Sequence, residues 1–94
     1  MIRPKDDIPE EVLALIPDFL NNVRQDVEAL KGAAARDDYV TLAMIAHRLK
    51  GDGASFFLDE LSELGKRLGI AVKAKDAEGI RASIMAVSEC VKEE

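Results

Sequence analysis

His47, the only histidine of this 94-residue chain, lies three residues before Lys50 and four before Gly51. A solvated imidazole is largely neutral at pH 7, so a ring nitrogen is available as a nucleophile without a dedicated base. On a helix, a lysine at i+3 lies on the same face and can pair with a phosphoryl group carried by that nitrogen. The spacing therefore fits a histidine that carries a phosphoryl group beside a cation.

The rest of the chain lacks the groups that would drive phosphoryl transfer alone. It has no glycine-rich phosphate loop, no acidic cluster suited to Mg²⁺, and no Ser/His/Asp or Cys/His set. One cysteine and one histidine cannot build a zinc site from soft ligands alone. An autonomous hydrolase or kinase is therefore excluded, and we expect no metal and no cofactor.

Four amphipathic helices are predicted to position His47, because apolar residues recur every three or four positions and no strand pattern occurs. We predict long helices over about 17–36 and 38–55, the second of them capped by Asp37 or Asp38, a third capped by Asp59, and a fourth capped by Asp76. A short opening helix should begin at Pro9 and break before Pro17. The predicted inward residues are Phe19, Leu20, Val23, Val27, Leu30, Ala34, Tyr39, Leu42, Ile45, Ala46, Leu49, Phe56, Leu61, Leu64, Leu68, Val72, Ala77, Ile80, Ile84, Val87 and Val91.

Short links between long helices favour antiparallel neighbours. The predicted fold class is all-α: an antiparallel up-down-up-down four-helix bundle with a short extra N-terminal helix packed across one end. We expect a single domain over 1–94, with its core over about 9–92.

The composition restricts the classes of partner and the cellular compartment that we expect for this chain. Hydrophobic residues make up 48% and charged residues 33%, as in soluble globular domains, and no run approaches the about 20 apolar residues of a membrane span. The net charge of −5 has the wrong sign for nucleic acid. The first ten residues resemble neither a signal peptide nor an anchor, and the lone Cys90 suits a reducing compartment. We therefore expect a cytoplasmic protein that binds neither nucleic acid nor a membrane.

The face of the second long helix around His47 should be polar but is not. His47 is predicted to point roughly 140° away from the core stripe and hence to solvent. Its neighbours on that side are small or apolar, with Lys50 as the one charge: Val40, Ala43, Met44, Gly51 and Ala54. Exposed apolar patches on soluble domains are typical of docking sites. His47 itself is either an incidental surface histidine or the functional residue of this patch.

The glycines near His47 destabilise their helices, because each glycine inside a helix costs about 1 kcal/mol of stability relative to alanine. Packing or function must offset this cost. Gly51 lies one turn beyond His47, where its lack of a side chain gives a partner access to the imidazole. The alternative is tight helix packing, or a helix end near Gly53. For Gly65 and Gly69 on the facing helix, packing and function are both open.

The run Ala46-His47-Arg48-Leu49-Lys50-Gly51, followed by Asp52-Gly53-Ala54-Ser55-Phe56, resembles the signature of histidine-containing phosphotransfer (HPt) domains. The resemblance implies that His47 is the phospho-acceptor, that Lys50 steadies the phosphoryl group, and that Gly51 admits the receiver domain of a response regulator. It also implies receiver domains and a hybrid histidine kinase as partners, with the receiver supplying Mg²⁺.

Two positions depart from the family pattern. Phe57 stands ten residues after His47, where the family usually has a second glycine, and Gly69 stands where a polar residue often bonds the histidine or its phosphate. Lys66 or Lys73, one turn to either side of Gly69, can substitute for that residue. The full predicted partner-binding set is Val40, Ala43, Met44, Arg48, Ala54, Lys66, Gly69 and Lys73.

Charge is unevenly distributed along the chain. Residues 48–75 carry six basic and four acidic side chains, a net +2, whereas residues 1–47 sum to −4 and residues 76–94 to −3. A basic rim would favour encounter with an acidic receiver pocket. The leading hypothesis is a phosphorelay intermediate that moves a phosphoryl group between receivers through His47. The alternative is a helical interaction module that binds a receiver or kinase through the His47 face without being phosphorylated.

Overall fold

The computed structural model describes residues 8–92, which are helical throughout apart from short links and contain no strand within that range. The helices are α1 (Glu10–Ala35), α2 (Tyr39–Ser55), α3 (Asp59–Lys73) and α4 (Ala77–Cys90). The predicted all-α class is confirmed. The predicted domain also includes residues 1–7 and 93–94, which lie outside the described range.

The predicted break before Pro17 is wrong, because α1 is a single helix of 26 residues that contains Pro17. Pro9 precedes its first residue as the N-cap. Proline lacks the N–H that would bond the carbonyl of Leu13, but Leu13 is exposed and its carbonyl can bond water instead. Ile16 and Leu20, on either side of Pro17, are both buried. Tertiary packing therefore outweighs the local proline penalty, and residues 10–35 form one helix without a separate opening helix.

Three links of three residues join the helices, and all share one backbone pattern. The middle residue of each has positive φ: Asp37 (55°), Phe57 (61°) and Lys75 (54°). The amide of the next residue then donates back to a carbonyl five residues earlier, for example Leu58 N to Gly53 O at 2.7 Å. This is the Schellman pattern, which satisfies carbonyls at a helix end and is usually built with glycine. Here non-glycine residues occupy all three left-handed positions.

Side-chain caps start two of the helices as predicted. Asp38 accepts from the Thr41 amide at 3.1 Å and Asp76 from the Gly79 amide at 3.0 Å. The predicted cap at Asp59 is wrong: Leu58 is the N-cap residue of α3, without a side-chain cap bond, and Asp59 is the first helical residue. Leu58 is fully buried, so an apolar contact with the core holds this helix start instead.

Each helix packs against its neighbours in sequence, and α1 also packs against α4, with α2 and α3 in the closest association. Most predicted inward residues form one buried core, joined by Ile16, Ala33, Leu58, Ala71 and Cys90. Ala77 is an exception: it is exposed at the start of α4. The Phe56 ring stacks on Phe19 of α1, with centroids 4.3 Å apart. Among residues 8–92, no helix is both long and apolar enough to cross a membrane.

Candidate functional site

His47 lies exposed on α2, beside a groove of about 790 Å³ between α2 and α3. Helix α2 presents His47 outward because Leu42, Ile45 and Leu49 on its other side are buried. The groove is lined by Tyr39, Val40, Ala43, Ala46, His47, Lys50, Gly65, Lys66, Gly69, Ile70, Val72, Lys73 and Lys75. We call this the α2/α3 groove.

Lysines provide the charge of the α2/α3 groove. Lys50 comes from α2, Lys66 and Lys73 from α3, and Lys75 from the link to α4. No acidic residue is among the described residues that line it. Nor do these four lysines form an ion pair anywhere within residues 8–92. The groove is therefore an electropositive surface whose cations are available to an incoming anion.

Apolar side chains surround this basic groove and are unusually exposed. Val40 is 80% exposed and Ile70 is 62% exposed, and both line the groove. Met44, 58% exposed, lies one turn after Val40 on α2. Lysines beside exposed aliphatic side chains form a surface that can exclude water and attract an acidic partner.

The glycines near the site separate into open and closely packed positions. A Cβ added to Gly51 would meet nothing within 4 Å. At Gly53 it would lie 2.6 Å from the Ser62 amide nitrogen, and at Gly65 2.6 Å from the Lys50 amide nitrogen. At Gly69 it would make only an ordinary 3.9 Å contact with the Cβ of Ala46. Close helix packing explains Gly53 and Gly65, whereas no contact within residues 8–92 explains Gly51.

The structure brings together most of the predicted site residues, but four lie outside the lining of the groove. These four are Met44, Arg48, Gly51 and Ala54, all on α2. Arg48 forms an ion pair with Asp26 of α1 at 2.6 Å, so its guanidinium ties α2 to α1. Burial raises the pKa of Asp26 and outweighs the lowering effect of Arg48.

Sequence reasoning missed five residues that line the α2/α3 groove. Tyr39, Ala46 and Val72 had been assigned to the core, and Ile70 and Lys75 had been given no role. The Lys75 ammonium lies over the Tyr39 ring, 5.3 Å from its centroid, a cation–π contact between the α3–α4 link and the start of α2. Among these residues, only Ile70 could have been identified from the sequence, because it is an apolar residue that lies off the predicted inward stripe of α3.

The departure at Phe57 has a structural explanation. Phe57 occupies the left-handed position of the α2–α3 link, with φ of 61°, where glycine is the favoured residue. It does not line the α2/α3 groove. Phe57 therefore affects the backbone of the link, and the chemistry beside His47 does not involve it.

A second groove of about 660 Å³ lies between α1 and α4. It is lined by Lys31, Ala34, Ala35, Ala77, Glu78, Arg81, Ile84 and Met85. Its charges are paired locally: Lys31 with Glu28 at 3.3 Å, and Arg81 with Glu78 at 3.4 Å. We call this the α1/α4 groove.

Neither a metal cluster nor a reactive thiol is found in the described part of the chain. Residues 8–92 contain no group of three or more His, Cys, Asp or Glu side chains placed to hold a metal ion. Burial, with a smaller contribution from Glu60, raises the pKa of the Cys90 thiol to about 11. A thiol with that pKa is almost entirely protonated at neutral pH and is a poor nucleophile. His47 is the nucleophile that the arrangement offers.

Comparison with known proteins agrees with this arrangement. The sequence pattern of the family described as "Hpt domain" matches residues 14–92. A curated relative, phosphotransferase RcsD of Escherichia coli (strain K12), is 36% identical over 74 residues, which are 79% of this chain. The aligned region spans only 8% of RcsD. No solved structure matches the chain significantly.

Proposed function

The chain belongs to the Hpt domain family, and we propose that it is a phosphorelay intermediate whose phosphoryl group is carried by His47. A receiver domain bearing an aspartyl phosphate would dock on the α2/α3 groove and transfer its phosphoryl group to His47. A second receiver would then accept it. The exposed His47 beside four lysines with no acidic lining is the observation that carries this proposal.

The proposed step exchanges one bond to phosphorus for another. A ring nitrogen of His47 attacks the phosphorus, a P–N bond forms, and the P–O bond to the receiver's aspartate breaks, which releases the aspartate as a carboxylate. The imidazole ring, with its second nitrogen, accommodates the charge. In the second transfer the same exchange runs from His47 to the next aspartate. The receivers are expected to provide Mg²⁺ and the acid–base groups.

The residues assigned around His47 each have their own part in the proposal. Lys50, one turn from His47 on α2, provides a cation for the oxygens of the phosphoryl group. Gly51 leaves the space next to His47 open, since a Cβ there would meet no other atom within 4 Å. Lys66 and Lys73 place further positive charge on the opposite wall of the groove.

The partner-binding surface that we propose is the α2/α3 groove with its exposed aliphatic rim. Val40, Ala43 and Met44 contribute from α2, and Gly69 and Ile70 contribute from α3. Receiver domains and a hybrid histidine kinase are the partners that membership of the family implies. We also propose a cytoplasmic location, which rests on the composition of the sequence.

The proposed surface requires α2 and α3 to run antiparallel. Gly53 of α2 approaches Ser62 of α3, and Lys50, earlier on α2, approaches Gly65, later on α3. Residue numbers therefore decrease along α2 in the direction in which they increase along α3. Links of three residues also join α1 to α2 and α3 to α4, and such short links favour antiparallel neighbours. We infer an up-down-up-down course for the four helices.

The experiment is incubation of the protein with a phosphorylated receiver, followed by intact mass measurement before and after acid treatment. We expect a gain of one phosphoryl group that acid removes, because phosphohistidine is acid-labile whereas phosphoserine is not. The matched variant His47→Gln should bind the receiver and gain nothing. Binding without any gain of mass in the parent protein would instead support the non-phosphorylated interaction module and would refute the phosphorelay role.

A further inference from the structure

Helices α2 and α3 touch backbone to backbone next to the turn that carries His47. A Cβ built on Gly65 would lie 2.6 Å from the amide nitrogen of Lys50 and 3.0 Å from the carbonyl oxygen of Ala46. Carbon atoms do not approach backbone atoms so closely, so this contact requires glycine at position 65. Gly65 is therefore packed directly against the turn 46–50 of α2.

Two further contacts hold the same turn on α3. The Ser62 hydroxyl donates to the carbonyl oxygen of Lys50 at 2.7 Å, and Ser62 itself is half-buried. Gly53, one turn beyond Lys50, packs against the backbone of Ser62, where a Cβ would lie 2.6 Å from the amide nitrogen. Gly53, Ser62 and Gly65 together fix the α2 backbone on both sides of Lys50.

This close approach determines how far the α3 lysines lie from His47. Lys66 follows Gly65 directly, and Lys73 lies about two turns further along α3. A contact between two backbones has no rotamers with which to adjust, unlike a contact between long side chains. Moving the helices apart at Gly65 would therefore move the α3 ammonium groups away from a phosphoryl group on His47.

The geometry points to Gly65 as a positioning residue for phosphoryl transfer, with Ser62 and Gly53 supporting it. It acts by holding His47 and Lys50 at a fixed distance from the lysines of α3. This inference rests on the proposed phosphorelay function. It assigns to Gly65 a role in transfer beyond the packing of the bundle.

The test is single-turnover transfer from a phosphorylated receiver to the Gly65→Ala variant over a range of receiver concentrations. A shift of the helices by a fraction of an ångström to one ångström is expected to lower the saturating rate constant by about tenfold. The fraction of protein finally phosphorylated should match the parent. A role in stability alone would reduce that fraction, because unfolded molecules accept nothing, and would leave the rate constant of the folded molecules unchanged.

Gly32→Ala is the matched control, since it makes the same substitution inside a helix but away from α2 and α3. A Cβ on Gly32 would approach only the flexible end of the Arg36 side chain, at 3.2 Å. Gly32 lines neither groove. The rate constant of this variant should equal that of the parent.

Ser62→Ala decides the question if Gly65→Ala does not fold. It removes the hydroxyl contact to Lys50 without adding an atom, and we expect transfer to slow about two- to threefold with the full phosphorylated fraction. Parent-like rate constants in every folded variant of Gly65 and Ser62 would overturn the inference while leaving the phosphorelay role intact. No phosphorylation of the parent protein would refute the phosphorelay role itself, and the positioning role with it.

Discussion

The α2/α3 groove and the α1/α4 groove are similar in volume, at about 790 and 660 Å³, but opposite in chemistry. The charges of the α1/α4 groove are balanced by i,i+3 ion pairs on its own helices, and it contains no nucleophile. The α2/α3 groove contains His47 and four lysines that form no ion pair within residues 8–92. Unbalanced charge beside a nucleophile, and not the size of a cavity, identifies the candidate site.

Adding the same side chain beside His47 and in the α1/α4 groove should give the largest difference between the two regions. Gly51→Gln places a long side chain one turn from His47, where a Cβ would meet nothing within 4 Å. We expect transfer to fall by about 100-fold because the reacting groups are held apart. The free energy of unfolding should hold or rise, since glutamine is the better helix former.

The control for Gly51→Gln is Ala35→Gln, which adds the same side chain at an exposed position of the α1/α4 groove. Its transfer rate should equal that of the parent. Transfer rates are measured with one phosphorylated receiver, and stability by urea denaturation. Unimpaired transfer in folded Gly51→Gln would remove the assignment of Gly51 as the access position.

Removing a single cation should have the next largest effect. Lys50→Ala should slow transfer by about tenfold, the low end for a charge-assisted contact, because the ammonium is solvent-exposed. Affinity for the unphosphorylated receiver should change little, since Lys50 acts mainly once a phosphoryl group is present. The comparison is with Lys50→Arg, which keeps the charge. If Lys50→Ala transfers as fast as the parent, the stabilising cation is Lys66 or Lys73 instead.

The α3–α4 link and the α1–α2 link offer a matched pair of glycine substitutions. Lys75 and Asp37 both have left-handed backbones, at φ of 54° and 55°, and Lys75 belongs to the α2/α3 groove. Asp37→Gly should raise the free energy of unfolding by about 0.5–1 kcal/mol, because glycine adopts this conformation without strain. Lys75→Gly should gain less stability, because it also removes the cation–π contact with Tyr39. Only Lys75→Gly should weaken receiver binding. Equal binding by both variants would show that Lys75 lies outside the docking surface.

The smallest effect is expected from the Asp26–Arg48 pair, which lines neither groove. Burial raises the pKa of Asp26 above its ordinary value of 3.8, so the folded state binds the proton more tightly than the unfolded state does. The contribution of Asp26 to stability should therefore fall as pH rises from 3.8 through the raised pKa. Urea denaturation of the parent and of Asp26→Asn across this pH range measures the difference, and transfer should be unaffected. A parent that gains stability relative to Asp26→Asn over the same range would contradict the raised pKa.

Local patterns were sufficient to predict most of the helices and the exposed position of His47 on α2. Aspartates before apolar stripes located the starts of α2 and α4, and the exposed apolar face around His47 located the groove. The break predicted before Pro17 was wrong because the cost of a proline within a helix depends on the surroundings of the carbonyl that it leaves unbonded. Here that carbonyl belongs to the exposed Leu13. The exposure of Leu13 cannot be predicted from the local sequence.

The parts of the site that were missed depend on how separate helices meet. Lys75 and Tyr39 belong to different elements and come together only when the α3–α4 link packs beside the start of α2. The different environments of Gly65 and Gly69 follow from the distance between α2 and α3, although the two glycines look equivalent in sequence. Arg48 lies next to His47 in sequence, yet its guanidinium pairs with Asp26 on α1.

The central claim is that a receiver docks on the α2/α3 groove and phosphorylates His47. Two-dimensional NMR of the backbone amides and of the histidine ring in the isotopically labelled protein, recorded during titration with a receiver and again after phosphoryl transfer, tests both parts together. The account predicts that the titration shifts amides around Val40, His47 and Ile70, and that transfer then moves the ring signals of His47. Shifts confined to Ala35, Ala77 and Met85 of the α1/α4 groove, or unchanged His47 ring signals after the receiver has lost its phosphoryl group, would contradict it.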